Sequence, residues 1–329
     1  MAIADVPTSF GSSFFIKIFL PGFVASILYS SAVMPLIAGS FWVSSTIENK
    51  LILCTILAIA IGMVITFLDL YIYQSFEGIR FWPKQVRQWK YGRIQRHFEK
   101  IDGELKTVED QIGTIEKNTE EPEKTTEELI ELNREASKLW AEVRKFPYSP
   151  DKGFYSKRYP YEATVFGNVL AEYEGYSEEQ YGMHMMVFWQ HLWFILPREL
   201  KEDLDLRGAK ADFIVYLSFI FLSYALIGGV GFYFQRNTWV NTSTMCIPLG
   251  AIICFFISIV LCFFFYYVSI LIHKSYGRYI KAVFDLYRVD LAQKLKIEIT
   301  DNSIPDDAER KNWRKYRKYL LDYEKPDTN

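Results

Sequence analysis

The chain of 329 residues has little of what most soluble catalysts are built from. It holds four histidines and four cysteines, and no H-E-x-x-H, G-x-S-x-G, Walker or dinucleotide glycine pattern. Cys54, Cys254 and Cys262 fall in apolar stretches and Cys246 near the edge of one, so neither a disulfide framework nor a C-x-x-C metal pattern can be written. His184 and His191 are seven residues apart with Glu172 and Glu174 nearby, but no ligand motif frames them. No metal, no cofactor and no enzymatic activity are expected. An excess of positive charge is missing too. Lys and Arg number 37 against 39 Asp and Glu, a formal net charge of −2, which argues against a nucleic-acid partner held by bulk charge.

Charge is absent altogether from four windows, 18–47, 51–68, 213–235 and 237–272. A bilayer core about 30 Å thick takes roughly 20 apolar residues of helix, and every backbone polar group must be satisfied within the segment. Spans are therefore expected at about 13–38, 50–74, 211–234 and 245–272, with Pro21 and Pro35 kinking or trimming the first. No Lys or Arg precedes Lys17 and the apolar run outlasts a signal-peptide core, so the first window is expected to remain as a span. Basic residues follow the second window (Arg80, Lys84, Arg87, Lys90, Arg93, Arg96, Lys100) and the fourth (Lys274, Arg278, Lys281), whereas 39–49 and 235–244 hold almost none. This bias puts both termini and the long central segment in the cytoplasm of a multi-pass inner-membrane protein. Arg80, Lys84, Arg87, Lys90 and Arg93 are expected to contact lipid headgroups.

The remaining charged material is organised. Ile94, Phe98, Ile101, Leu105, Val108, Ile112 and Ile115 recur at alternating spacings of 4 and 3, and Leu129, Leu132, Ala136, Leu139, Val143 and Phe146 repeat the pattern. Pro122 is expected to end one helix, and Thr125 with Glu128 to cap the next. The fold expected is all-α: an integral membrane four-helix protomer with a cytoplasmic antiparallel coiled-coil hairpin and a small helical, aromatic-rich module. By residue, spans 1 and 2 occupy 1–79, the hairpin 80–147, the aromatic-rich module 148–210, spans 3 and 4 211–273, and C-terminal amphipathic helices 274–329. Within the module, Val165 to Glu174 and Met185 to Leu196 read as helices.

Several strings occur together: Ala163-Thr164-Val165-Phe166-Gly167-Asn168-Val169-Leu170, Tyr181-Gly182, Trp189 with Leu192-Trp193, Ser275-Tyr276-Gly277, Phe284-Asp285-Leu286-Tyr287-Arg288, Asp290-Leu291, then Glu309 and Trp313. From about 160 onward the chain resembles a widespread family of uncharacterised prokaryotic four-span membrane proteins. That resemblance implies topology and carries no activity. Read physically, Thr164, Asn168, Asp285, Arg288 and Asp290 are expected to form a cytoplasmic polar cluster joining the 160s to the extension of helix 4.

Ionisable residues are scarce within the membrane, and Lys17 and Asp69 are expected at similar depth, either paired or lining a cytoplasmic vestibule. Ser13, Lys17, Ser26 and Ser30 make the first span the most polar, so it is the expected lining of any water-filled path. The function expected is a homo-oligomer that conducts ions or perturbs the membrane under control of its cytoplasmic part. The alternative is a membrane-anchored scaffold or sensor whose hairpin recruits a soluble protein partner. The lipid bilayer is a partner in both cases.

Overall fold

Long charge-free runs become helices, and helices make up nearly all of the described backbone in the computed structural model, which describes residues 8–37, 46–117, 122–143, 148–149, 153–154, 162–239, 249–299 and 307–323. In chain order, α1 (Thr8–Phe14) passes through a π turn (Phe15–Phe19) into α2 (Leu20–Ile37). Then come α3 (Ile47–Phe67), α4 (Asp69–Glu77), α5 (Lys84–Lys117) and α6 (Pro122–Val143). A two-residue antiparallel pair, β1 (Tyr148–Ser149) with β2 (Gly153–Phe154), sets Tyr148 opposite Phe154. The rest is α7 (Val165–Tyr181), α8 (Met185–Ile195), α9 (Arg198–Trp239), α10 (Leu249–Leu295) and α11 (Asp307–Tyr323). Among the described residues, four helical stretches are long and apolar enough to cross a membrane: Gly11–Tyr29, Ile47–Phe67, Arg198–Ile227 and Ile253–Leu295. The chain divides into two units, Met1–Tyr73 with Pro197–Tyr276, and Gln74–Leu196 with Gly277–Asn329.

In the first unit, side-chain rungs give the direction of each helix. Ser13 reaches Asp205, Lys17 reaches Asp212 and Tyr29 reaches Ser223, so the first helical stretch and α9 run parallel. Ile18 meets Gly62 where Gly22 meets Ala58, so α2 and α3 run antiparallel. Ser218 donates to the Cys262 carbonyl, Phe221 stacks on Phe265 and Gly208 faces Tyr276, so α9 and α10 are antiparallel as well. The α2–α3 seam is built from small residues: Gly22, Ala25, Ala58 and Gly62 are all buried. Apolar partners gain little from burial against each other in lipid, so close backbone approach through small residues supplies the attraction instead. The large apolar side chains turn outward, among them Ile52, Ile56, Phe67, Val260 and Leu271.

The π turn has a local cause. Pro21 has no N–H for the carbonyl of Lys17, and its ring would collide with that carbonyl in a regular helix. The chain widens just before it, and Leu20 N–H bonds Phe15 O, five residues back.

In the second unit, α5 and α6 share a core of Phe98, Ile101, Leu105, Val108 and Ala136, flanked by Ile112, Leu132 and Leu139. Val143 and Phe146 lie outside the described side chains. One boundary is corrected: Pro122 opens α6 rather than closing α5, which ends at Lys117. Proline suits a first helical position, where its missing donor would have no partner and its φ is already helical. A second core gathers α7, α8, α11 and the C-terminal part of α10 around Phe166, Phe188, Leu192, Phe284 and Trp313, all fully buried, with Phe188 edge-on to Trp313 at 5.0 Å. α7 outruns its expected end and stops at Gly182, whose φ of 75° closes the helix where a Cβ would strike the Arg310 carbonyl.

Candidate functional site

Each of the four charge-free windows is bounded on one side by an ionisable residue, and the up-and-down course of the helices gathers these four together. Lys17 precedes the first window, Asp69 follows the second, Asp212 precedes the third and His273 follows the fourth. Lys17 Nζ lies 2.6 Å from Asp212 Oδ2, with side-chain exposures of 34% and 17%. Tyr73 donates its hydroxyl proton to Asp212 Oδ1 at 2.6 Å, and the same hydroxyl oxygen lies 3.1 Å from His273 Nε2. His273 Nδ1 sits 2.9 Å from Ser269 O, a carbonyl that can only accept, so Nδ1 carries its hydrogen. Tyr216 donates to Asp69 Oδ1 at 2.8 Å, and Ser13 donates to the exposed Asp205.

The expected Lys17–Asp69 pair is therefore not the one formed. Asp69 contributes to the field at Lys17, but the ammonium bonds Asp212, two helical turns along α9 from Asp205. Ser26 is 1% exposed and turns its hydroxyl back onto Phe23 O, inside the unit. Ser30 is helical, and its side chain lies outside the described residues. Asp212, Tyr73, Tyr216 and His273 join the site without belonging to any motif in the sequence. The signal for Asp212 and His273 was present all the same, since each is the first ionisable group at the edge of an apolar window, on the same end as Lys17 and Asp69.

In the second unit, the expected polar cluster resolves into two places on α7. At its N-terminus Thr164 accepts from Gly167 N–H and donates to Phe76 O. Beside it, Asn168 donates to Glu162 O and Thr164 O and accepts from Glu162 N–H. Glu162 is half-buried with Oε2 unbonded, and burial together with the Glu77 carboxylate pushes it up to about 7 against the pull of Arg87. Near the other end, Asp285 accepts from both Tyr176 (2.8 Å) and Tyr181 (2.6 Å). Burial pushes Tyr176 up to about 12 and Tyr181 higher still, so both remain donors to the carboxylate. Arg288 lies over the Tyr181 ring and pairs with buried Glu309, to which Trp313 also donates. Lys281 bonds Glu172 at 2.6 Å, and Asp290 is exposed. The tie between α7 and the C-terminal part of α10 thus runs through Glu172, Tyr176 and Tyr181, whereas Thr164 and Asn168 hold the turn before α7.

Of the basic residues after the second window, Arg80 lies over Phe81 and bonds Gln74, and Arg87 donates to Ile79 O. Lys90 and Arg93 flank Trp89, and Lys84 is exposed. Phe81, at φ 62° and 81% exposed, is held in a conformation that non-glycine residues seldom adopt. His184 and His191 serve separate partners, Glu178 and Val187 O. Among the described residues, no group of three or more His, Cys, Asp or Glu is placed to hold a metal ion. No protein-family model, curated protein or solved structure matches the chain.

Proposed function

We propose that the protein is a homo-oligomer of the inner membrane that conducts ions or perturbs the bilayer, with both termini and its polar unit in the cytoplasm controlling it. The observation that carries this reading is the cluster of Lys17, Asp69, Asp212 and His273, gathered from the first, third and fourth apolar stretches and from α4, which follows the second. Ionisable groups inside apolar helices are costly, and they recur along ion and proton pathways. Gly22 and Gly62 press against facing backbone, which closes the space between α2 and α3 to water. The basic flanks support the orientation, and the basic and aromatic residues at Arg80–Arg93 fit an anionic headgroup layer.

Current measured across planar bilayers containing the purified protein tests the proposal. Voltage-dependent or constitutive conductance is expected, and bilayers that stay silent at all voltages in every isolated oligomeric state overturn it.

A second reading, a membrane-anchored scaffold or sensor, draws on α5 and α6. They share a core of their own and carry outward faces that are charged and exposed, which suits recruitment of a soluble protein by a coiled-coil hairpin. Removing 101–139 separates the two: a scaffold loses its partner with its membrane behaviour intact, and a channel loses assembly or gating.

A further inference from the structure

Opposite the buried seam of α5 runs a second row at the same period. Trp89, Arg93, Arg96, Lys100, Gly103, Thr107, Asp110 and Thr114 follow one another at spacings of 4, 3, 4, 3, 4, 3 and 4, and every one of them is exposed. Residues so spaced share one face of a helix. The row changes character at its middle. Trp89, Arg93, Arg96 and Lys100 are long or bulky and three of them are cations, whereas Gly103, Thr107 and Thr114 are small and Asp110 is an anion. Nothing stands within 4 Å of a Cβ built on Gly103. Thr107, Asp110, Gln111 and Thr114 line a groove of about 460 Å³ together with Glu128 and Leu132 of α6.

Charge divides at the same point. Residues 84–100 hold six bases against one acid, a net +5, and residues 101–117 with 122–135 of α6 hold ten acids against four bases, a net −6. α6 adds to the imbalance, since it brings Glu128 to the groove that Asp110 already lines. A second copy turned end for end about the middle of the row matches both size and sign. The spacing reads the same in either direction, so Trp89 of one copy comes opposite Thr114 of the other, Arg93 opposite Asp110, Arg96 opposite Thr107 and Lys100 opposite Gly103. Each long side chain falls against a short one. Lys90 and Arg93 flank the Trp89 ring at 6.0 and 5.8 Å from its centroid, so the indole would enter the acidic groove in the company of two cations. Lys100, nearest the middle, lies 3.6 Å from Glu104 of its own chain, which tempers its meeting with a second Lys100. Arg80, Lys84, Arg87 and Lys90 lie off this row and remain for headgroups, and only Arg93 belongs to it.

We infer that the outward row of α5 is an antiparallel docking face for a second copy of this chain, the two related by a twofold axis between Lys100 and Gly103. The inference rests on the homo-oligomer proposed above and names one of its interfaces. The same residues serve from both sides, and exposed charges hold much of the contact, so it weakens as salt rises.

Distances between spin labels, one per chain, test it in full-length protein carrying Cys54→Ala, Cys246→Ala, Cys254→Ala and Cys262→Ala. Labels on Glu99→Cys, beside the axis, are expected within about 20 Å of one another, and labels on Gln88→Cys about 40 Å apart, at roughly 1.5 Å of helix per residue on both sides of the axis. Equally short distances at the two sites mean parallel copies and overturn the inference. An oligomer with no distance under about 20 Å at Glu99→Cys means that a lipid surface or a soluble protein covers the row instead, and overturns the pairing alone. A particle with the mass of one chain removes the homo-oligomer as well. A charge exchange in protein that keeps its cysteines is the second measurement. Copies with Arg93→Glu and Arg96→Glu, or with Asp110→Arg and Glu128→Arg, are each expected to lose at least tenfold in dimers fixed by a carbodiimide, which joins an amine to a touching carboxylate. Co-expression of the two is expected to restore the dimers, since each reversed half then meets its opposite. Wild-type yield in either variant alone, or no recovery on co-expression, overturns the inference.

Discussion

A Cβ built on Gly22 would lie 1.8 Å from the carbonyl oxygen of Ala58, and one on Gly62 would lie 2.1 Å from that of Ile18. The atoms met are backbone, which cannot rotate away, so the helices themselves would have to part. Gly22→Ala or Gly62→Ala is expected to destabilise the first unit by at least about 2 kcal/mol, at the upper side of overpacking costs. Maleimide labelling of Cys54, buried on the same face of α3 as Ala58 and Gly62, should speed up in either variant when followed by peptide mass. Gly103→Ala in α5 is the contrast. Nothing lies within 4 Å of its built Cβ, so replacement should stabilise the helix by up to about 1 kcal/mol.

Lys17 and Asp212 should behave as a coupled pair. Lys17→Met leaves two carboxylates, Asp69 and Asp212, sharing a half-buried site without their cation, and Asp212→Asn leaves the ammonium with only the more distant fields of Asp69 and Asp205. Each single change is expected to destabilise, and the double variant to lose less than the sum, with a coupling of about 1 kcal/mol or more. Thermal unfolding of all four proteins in one detergent gives the cycle, and strict additivity would show that the contact contributes nothing.

Glu162 gives the second unit a pH dependence of definite sign. Its folded value, near 7, stands above the ordinary 4.5, so the native state holds this proton more tightly than the unfolded chain. The associated stability is complete below about pH 4.5 and is lost as pH rises through about 7. Solvent screening of a half-buried group brings the effect to the order of 1 kcal/mol. Hydrogen exchange at Gly167–Leu170, corrected for intrinsic rates, should show weaker protection at pH 8 than at pH 5, and Glu162→Gln should flatten the difference.

The ion pair of Arg288 with Glu309 is buried on both sides, with side-chain exposures of 6% and 0%. Removing Glu309 leaves the buried guanidinium without its carboxylate, so Glu309→Ala is expected to cost about 3–5 kcal/mol. Because Glu309 also receives Trp313, the loss should release α11, whose lysines and arginines would then be cut rapidly by trypsin. Replacing Arg288 by Met together with Glu309→Leu should restore much of the protection.

What could be read from the sequence was governed by period and by the edges of apolar runs. Ile94 to Ile115 alternates cleanly, and the structure packs its middle against Leu132, Ala136 and Leu139. The four apolar windows are equally plain, because a membrane demands length and leaves no substitute for it. Pairing across the chain is another matter. Nothing local says that Lys17 meets Asp212, 195 positions away, rather than Asp69, since the choice depends on which helices lie side by side. The Gly22–Ala58–Gly62 seam has a pattern, Ala58-x-x-x-Gly62, but short apolar residues inside a long apolar run stand out only once a partner helix is known to press there. The polar residues of the second unit separated for a similar reason: Thr164 and Asn168 satisfy the turn before α7, while the contacts to α10 come from Glu172 and from two tyrosines whose rings disguise their hydroxyls as core.

The wide turn over Phe15–Phe19 has a bearing on how the first helix addresses two neighbours at once. An ordinary helix turns about 100° per residue, and a π turn takes up one residue more than an α turn before the axis resumes. Were the segment straightened, everything before it would swing by about that angle while Gly22 stayed locked at Ala58. Ser13 and Lys17 would leave Asp205 and Asp212 and face a different quarter of the bundle. The proline four residues after Lys17 thus acts as a phase shifter, fitting one rod to a glycine seam on one flank and to a carboxylate ladder on another.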